Sequence, residues 1–308
     1  MAHALVALGS NLGDRAQQLN AALIELARLP SSRLIRRSGW FETPPIGGPD
    51  GQGAFLNGAA LLWTALAPRQ LLAELQRIEE QLERVRGERW GARVIDLDLL
   101  LFDQLVIECP EFSPGLRPGV EPRTTPHRLA ALPPGGAGGC NGDDAHDNDL
   151  IVPHPRMAFR RFVLEPAAAA APWMVHPTSG WTVQALCEQL TRGANVVAVA
   201  AVEAAAWVER LRMRFGAGPR IVAWDAYRAE ANRDEFLRPK LILAFLSEGE
   251  ANLPAFHAGT RSRRMPNLPT GGPIAWIPST GVGEAMVEAA AAIQAVWPEL
   301  ASIASPSD

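Results

Sequence analysis

The stretch Arg89-Trp90-Gly91-Ala92-Arg93-Val94-Ile95-Asp96-Leu97-Asp98-Leu99-Leu100 decides most of what this sequence predicts. Residues two apart on a β-strand point to the same face. A strand over residues 94–102 therefore places the carboxylates of Asp96 and Asp98 side by side. The opposite face is expected to carry the apolar side chains: Ile95, Leu97, Leu99 and Leu101.

Two carboxylates this close repel each other and lose hydration, which costs several kcal/mol if they remain unpaired. Two arrangements would remove that cost. Mg²⁺ commonly binds one or two carboxylates together with phosphate oxygens and water. Alternatively, each aspartate forms an ion pair with a nearby arginine. The residue pattern alone leaves both arrangements open.

Four arginines lie in or just before this strand, and planar guanidinium groups suit phosphate oxygens. They are Arg84, Arg86, Arg89 and Arg93. Such a cluster favours a nucleotide–Mg²⁺ site, although a solvated surface loop is the usual alternative. Trp90, between the arginines, either covers a flat ring or packs against the domain.

The bulk composition is that of an ordinary globular protein, with 308 residues, 47% of them hydrophobic and 20% charged. A net charge of −4 gives no electrostatic reason to expect a nucleic-acid or membrane partner. The three widely spaced cysteines suggest neither a metal cluster nor a disulfide framework. With no apparent signal peptide or membrane-spanning stretch, we expect a cytoplasmic protein.

The length predicts two domains. A boundary near Gly193 divides the chain into residues 1–192 and 193–308. Residues 108–148 show neither a 2-residue nor a 3.6-residue period and predict a low-complexity inserted loop. After residue 193, alternating strands and helices predict a small α/β domain. Predicted strands cover residues 5–8, 34–41, 55–62, 94–102, 196–202, 221–224, 241–245 and 274–277. Two helices are predicted to begin near Asp14 and near Pro68. Three more are predicted over residues 183–190, 204–215 and 283–296.

Further motifs follow each other in a fixed order around the Arg89 stretch. They are Ala7-Leu8-Gly9-Ser10-Asn11-Leu12-Gly13-Asp14, Phe41-Glu42-Thr43-Pro44-Pro45, Phe55-Leu56-Asn57, Gln76-Arg77-Ile78-Glu79, Arg84-Val85-Arg86, Val152-Pro153-His154-Pro155-Arg156 and Arg160-Arg161-Phe162-Val163-Leu164. In their order and spacing, residues 4–190 closely resemble the 6-hydroxymethyl-7,8-dihydropterin pyrophosphokinase family of folate biosynthesis, except across the inserted loop.

The resemblance implies an α+β fold, a ferredoxin-like α/β sandwich with an antiparallel central sheet, ahead of the small α/β domain. It implies transfer of pyrophosphate from ATP to the pterin hydroxymethyl group, with two Mg²⁺ ions held by Asp96 and Asp98. The implied catalytic residues are Arg84, Arg93, Asp96 and Asp98. The implied ATP-binding residues are Gln76, Glu79, Arg86, His154 and Arg160. The implied pterin-binding residues are Thr43, Pro44, Phe55, Asn57, Trp90 and Phe162.

Four positions depart from the family pattern: Phe55, Asp149, Ile151 and Pro155. Family members commonly carry a hydroxyl-bearing aromatic at position 55. Some carry a basic residue at position 149, and some carry polar or aromatic side chains near ATP at positions 151 and 155. These departures, with the unexplained second half, support an alternative: a catalytically weak nucleotide-binding or regulatory protein on the same fold. Residues 193–308 are interpreted as a regulatory or dimerisation domain, which predicts a homodimer.

Overall fold

The computed structural model of the chain describes residues 1–46, 51–82, 93–107, 150–216, 218–230, 238–246, 268–269, 271–277 and 281–302. The predicted loop at 108–148 lies outside these residues, as do five singled-out positions: Arg84, Arg86, Arg89, Trp90 and Asp149. Over the described ranges, no helix is both long and apolar enough to cross a membrane.

A five-stranded antiparallel sheet is the framework of the first half of the chain. Its strands are β1 (Ala2–Ser10), β2 (Ser32–Arg37), β3 (Phe41–Thr43), β4 (Phe55–Thr64) and β5 (Asp96–Phe102). The order is β2-β4-β1-β5, and β3 pairs with the start of β4. Strand β1 is therefore central and bonds to β4 and β5 along most of its length.

One face of this sheet is covered by helices α1 (Arg15–Ala27) and α2 (Pro68–Gln81). The predicted start of α1 near Asp14 is confirmed, and the Asp14 carboxylate caps the helix by accepting the Gln17 N–H at 3.0 Å. Each helix buries an apolar stripe against the sheet, and Leu82, just beyond α2, is half-buried. The buried stripe residues are Leu19, Leu23 and Leu26 on α1, with Leu71, Leu75 and Ile78 on α2.

The other face is covered by α3 (Arg161–Ala170) and α4 (Val183–Arg192), with a short hairpin of β6 (Val175–His176) and β7 (Trp181–Thr182) between them. Helix α3 packs on β1 and β4, and a 3-10 helix at Met157–Phe159 precedes it. The sequence patterns did not predict α3. It contains Pro166 and an alanine run, neither of which shows a polar–apolar period.

The strand predicted over residues 34–41 is wrong in its continuity, because it divides into β2 and β3. The Ser38 N–H donates to the Ala59 carbonyl at 2.9 Å, and the Ser38 hydroxyl accepts the Ala59 N–H at 2.9 Å. The Trp40 ring then lies against Gly58, where an added Cβ would come within 2.3 Å of it. Strand β3 restarts beyond this contact and places Thr43 opposite Phe55.

The predicted alternation along β5 holds through Leu99 and is wrong at Leu101. Val6 pairs with Leu99 and Leu5 with Leu101, so Leu100 is an extra residue in a β-bulge. The bulge reverses the faces that follow, and Leu101 joins the core on the α3 side. The Leu100 carbonyl accepts the His154 N–H at 2.9 Å. The bulge thus brings the segment around His154 alongside β5.

The second half of the chain forms a four-stranded parallel sheet in the order β11-β10-β8-β9. Its strands are β8 (Ala194–Ala200), β9 (Arg220–Ala223), β10 (Pro239–Phe245) and β11 (Ile274–Ile277); its helices are α5 (Ala204–Phe215), α6 (Trp224–Glu230) and α7 (Val282–Val296). The predicted strands and helices are confirmed to within two residues at most ends. Trp224, however, opens α6, a helix that the patterns did not predict.

A single hydrophobic core crosses the predicted boundary at residue 193. It joins Leu164 of α3 and Leu186 of α4 to Val197, Leu243 and Ile293 of the second half. Helix α4 packs on β10, and α3 packs on α7. The two halves therefore share buried surface directly beside the α3 face of the first sheet.

Candidate active site

Gly9 of β1 lies between Asn57, which was predicted to bind the pterin, and Asp96, which was predicted to hold Mg²⁺. It pairs with Asn57 of β4 on one side and with Asp96 of β5 on the other. A Cβ at Gly9 would lie 3.3 Å from Asn57 Oδ1 and 4.0 Å from Asp96 Cβ. Asp98 pairs with Ala7, so both aspartates lie on the sheet face that carries α3, as the alternation predicts.

Arg93 is held at the start of β5 by its backbone and by its side chain. Asn11 accepts the Arg93 N–H at 2.7 Å through Oδ1 and donates its own N–H to the Arg93 carbonyl at 3.0 Å. Arg93 Nη1 lies 2.6 Å from Asp96 Oδ1. The arginine pairing that the sequence left open is therefore present at Asp96.

The two aspartates also fit a divalent cation. Both are half-buried oxygen donors on one strand face, and Asp96 lines a cleft that also contains arginines. Across the described part of the chain there is no cluster of three or more His, Cys, Asp or Glu side chains suited to a metal. Mg²⁺ needs no such cluster, because phosphate oxygens and water complete its shell.

The predicted pterin residues that are described line one cleft of about 390 Å³: Thr43, Pro44, Phe55, Asn57 and Phe162. Asn57 is 7% exposed, and its Nδ2 donates to Thr43 Oγ1 at 2.8 Å. This bond directs the amide oxygen Oδ1 away from Thr43 and toward the Gly9 side of the cleft. The cleft thus offers an oriented acceptor, and two aromatic rings, Phe55 and Phe162, line the same cleft.

Positive charge also lines the cleft, through Arg93, Arg156 and Arg160. Burial lowers the pKa of Arg160 to about 10, and the neighbouring Arg156 cation acts in the same direction. Arg160 nevertheless remains a cation at neutral pH. Its guanidinium carbon lies 5.6 Å from the centre of the Phe162 ring, within range of a cation–π contact.

His154 lies close to Arg156 and Arg160 and is a neutral base. Burial lowers its pKa to about 3, and the Arg160 and Arg156 cations add to the effect. Its Nδ1 accepts the Arg156 N–H at 3.2 Å, which places the proton of the neutral ring on Nε2. His154 can therefore donate a hydrogen bond, for example to a nucleotide oxygen, without carrying charge.

Gln76 and Glu79, both predicted to bind ATP, are on α2 and are not among the side chains lining this cleft in the described ranges. Glu79 is 3% exposed, and its Oε1 accepts the Leu97 N–H at 2.6 Å. That bond falls between Asp96 and Asp98. Glu79 therefore holds the strand that carries the two carboxylates, and its contact with ATP stays a prediction.

The sequence patterns missed a set of lining residues from the second half of the chain. They are Leu246, Ala275, Trp276, Ile277, Glu288, Ala291, Ala292 and Ala295. Arg156 Nη2 forms an ion pair of 2.9 Å with Glu288 Oε2 of α7. No local motif marks these residues, because only the packing of the two halves brings them to the cleft.

Comparison with known proteins finds relatives of the first part of the chain. A Pseudomonas aeruginosa 2-amino-4-hydroxy-6-hydroxymethyldihydropteridine pyrophosphokinase is 38% identical over 167 residues, which cover 54% of this chain and 79% of that protein. A namesake from Methylorubrum extorquens is 35% identical over 175 residues, 57% of this chain and 86% of its own length.

Among solved structures, a Plasmodium falciparum HPPK-DHPS with pterin and p-hydroxybenzoate is similar at a TM-score of 0.41 and 13% identity. The match covers 90% of this chain and 64% of that one, and a likeness at this level carries no argument. The family model of 7,8-dihydro-6-hydroxymethylpterin-pyrophosphokinase (HPPK), in contrast, matches residues 5–172, more than half of the chain. The chain therefore belongs to the 7,8-dihydro-6-hydroxymethylpterin-pyrophosphokinase family.

Proposed function

We propose that the cleft between Asn57, Asp96 and Arg160 is where this protein carries out its reaction. The protein is an ATP-dependent pyrophosphokinase of folate biosynthesis, which transfers pyrophosphate from ATP to the hydroxymethyl group of 6-hydroxymethyl-7,8-dihydropterin. The products are AMP and the pterin diphosphate. The observation that carries the assignment to this cleft is the pairing of Gly9 with both Asn57 and Asp96.

At the phosphate end, Asp96 and Asp98 would hold the two Mg²⁺ ions that the family resemblance implies. A bound ion would neutralise charge on the phosphate oxygens. Arg93, whose backbone is clamped by Asn11, would stabilise charge on the transferred group. Arg160 would bind phosphate oxygens with its guanidinium fork. Arg84 and Arg86, outside the described residues, stay predictions for the same role.

At the pterin end, polarity and shape both favour a flat heterocycle. The Asn57 amide is oriented by Thr43, so its Oδ1 is available to accept an N–H from the pterin edge. Phe55 and Phe162 line the same cleft and would contact the faces of the ring. Phe55 has no hydroxyl, so pterin recognition would rest on Asn57 and the backbone near Thr43.

Four further predictions are kept as part of the proposal. The succession β1-α1-β2-β3-β4-α2-β5, in which β2 and β3 both pair with β4 in the place of one strand, and the order β2-β4-β1-β5 support a ferredoxin-like first domain, residues 1–192. Residues 193–308 would then be a second, small α/β domain. The homodimer and the cytoplasmic location stay predictions from the sequence.

AMP release from purified protein, ATP, Mg²⁺ and the hydroxymethyl dihydropterin tests the proposal. We expect Asp96→Asn to abolish turnover while the protein stays folded, because it removes a charged oxygen donor at the phosphate end. Asp225→Asn, an exposed change on α6, is the matched control and should keep the wild-type rate. Release of ADP would contradict the proposal. Binding of ATP without turnover would contradict it and favour the regulatory alternative.

A further inference from the structure

The second half of the chain contributes a continuous surface to the cleft. Helix α7 presents Glu288, Ala291, Ala292 and Ala295, all of which line the cleft. Their spacing of three, four and seven residues places them on one helix face. Trp276 and Ile277 of β11 line the cleft beside them. One wall of the cleft is therefore built by residues that lie outside the part of the chain matched to the family.

The wall is anchored to the phosphate end by charge. Arg156 lies close enough to Arg160 for its positive charge to lower the pKa of Arg160, and both residues line the cleft. Glu288 supplies an opposing charge and pairs with Arg156 at 2.9 Å, with side chains that are 16% and 32% exposed, respectively. A part-buried ion pair of this kind fixes the direction of a guanidinium group more than it stabilises the fold.

The rest of the α7 face consists of small side chains. Ala292 and Ala295 also belong to the core shared by the two halves, whereas Ala291 is half-buried and faces the cleft. Alanine brings the helix backbone close to the cleft without filling it. The free volume beside Phe162 therefore depends on α7 as well as on the first half of the chain.

We propose that α7 is a fixed wall of the catalytic cleft and that Glu288 is a positioning residue that holds Arg156 toward the phosphate groups of bound ATP. This inference rests on the proposed function. It gives residues 193–308 a direct part in substrate binding, in addition to any part in assembly.

The role of Glu288 is tested by steady-state kinetics and calorimetry on the full chain. We expect Glu288→Ala to raise the KM for ATP about 3- to 10-fold, the range for losing a part-buried ion pair, with the KM for pterin changed less than 2-fold. Glu288→Asp should recover part of the loss. Glu209→Gln, on the exposed side of α5, is the matched control and should match wild type.

A double-mutant cycle separates positioning from a general structural effect. If Glu288 acts through Arg156, Glu288→Ala should have little further effect on ATP affinity in an Arg156→Ala background. Fully additive effects of the two substitutions would overturn the positioning role. An unchanged ATP affinity in Glu288→Ala alone would overturn it as well.

The position of α7 as a wall of the cleft is tested by a larger side chain that fills the space beside it. Ala291→Leu keeps a strong helix former on α7 but projects a larger side chain into the cleft. We expect the affinity for ATP or for the pterin to fall at least 10-fold with an unchanged Tm. Val287→Leu, on the exposed side of the same helix, should change neither. Wild-type affinities in Ala291→Leu would overturn the wall.

Calorimetry with Mg-ATP keeps the two proposals distinguishable. Wild-type protein that binds Mg-ATP but releases no AMP would refute the proposed function only. In that case a lower ATP affinity in Glu288→Ala would still support the wall, and an unchanged affinity in both Glu288→Ala and Ala291→Leu would overturn it.

Discussion

Glu79→Ala is expected to lower the free energy of unfolding by about 2–4 kcal/mol. Glu79 is almost fully buried, and its carboxylate accepts the Leu97 N–H at 2.6 Å. A hydrogen bond to a charged group contributes about 1.5–3 kcal/mol, and removal leaves the Leu97 N–H without this acceptor inside the core. The truncated side chain also leaves unfilled volume, which adds to the cost. Glu79→Gln should cost less, because an amide oxygen can still accept.

Urea denaturation of wild type, Glu79→Ala and Glu79→Gln measures the effect through the midpoint at constant m-value. Glu80→Ala is the matched control, since Glu80 is exposed on the same helix and should change stability by less than about 0.5 kcal/mol. The position of Leu97 between the two aspartates also predicts weaker Mg²⁺ binding by the destabilised variant. If Glu79→Ala keeps wild-type stability and only raises the KM for ATP, Glu79 is a substrate contact and the structural argument is refuted.

Three further predictions follow from single contacts. Between pH 7 and pH 5 the unfolding free energy should fall by roughly 2 kcal/mol through His154, because the imidazole of the unfolded chain (pKa 6.5) takes up a proton that the folded one (pKa about 3) does not. In urea melts, His154→Gln should flatten this pH dependence, and an unchanged slope would contradict the prediction. Gly58→Ala should destabilise by about 1–3 kcal/mol, because its Cβ would lie 2.3 Å from a tryptophan ring; Gly39→Ala, with open space around it, is the control, and equal midpoints would count against the clash. Thr43→Val should raise the KM for pterin about 2- to 10-fold, because it removes the acceptor that orients Asn57; a KM within error of wild type would show that Asn57 needs no such support.

The parts of the fold that the sequence predicted are those that depend on near neighbours. The alternation of residues 94–99 placed Asp96 and Asp98 on one face, and the helix over residues 204–215 begins and ends as predicted. The bulge at Leu100 was invisible, because three consecutive leucines carry no phase to reveal an extra residue. Helix α3 was missed for a related reason, since Pro166 and the alanines after it carry no period.

The candidate site likewise has residues that the sequence predicted and residues that it did not. Asp96, Asn57 and Arg160 were identified from ordered motifs in one part of the chain, and the structure brings them to one cleft. The pairing of Arg93 with Asp96 was one of two arrangements that charge arguments left open. Glu288 was not predicted, because an exposed-looking glutamate on an alanine-rich helix has no local signal for a partner.

The shared core explains why the second half of the chain cannot be treated as an appendage to the first. Removing residues 193–308 would take Val197, Leu243 and Ile293 away from Leu164 and Leu186, and would leave the α3–α4 face without its apolar cover. The same deletion would remove one wall of the cleft. Loss of activity after truncation would therefore combine a folding defect with a binding defect. Substitutions at Glu288 and Ala291 change the wall while leaving the shared core in place, so they separate a binding role of the second half from its role in folding.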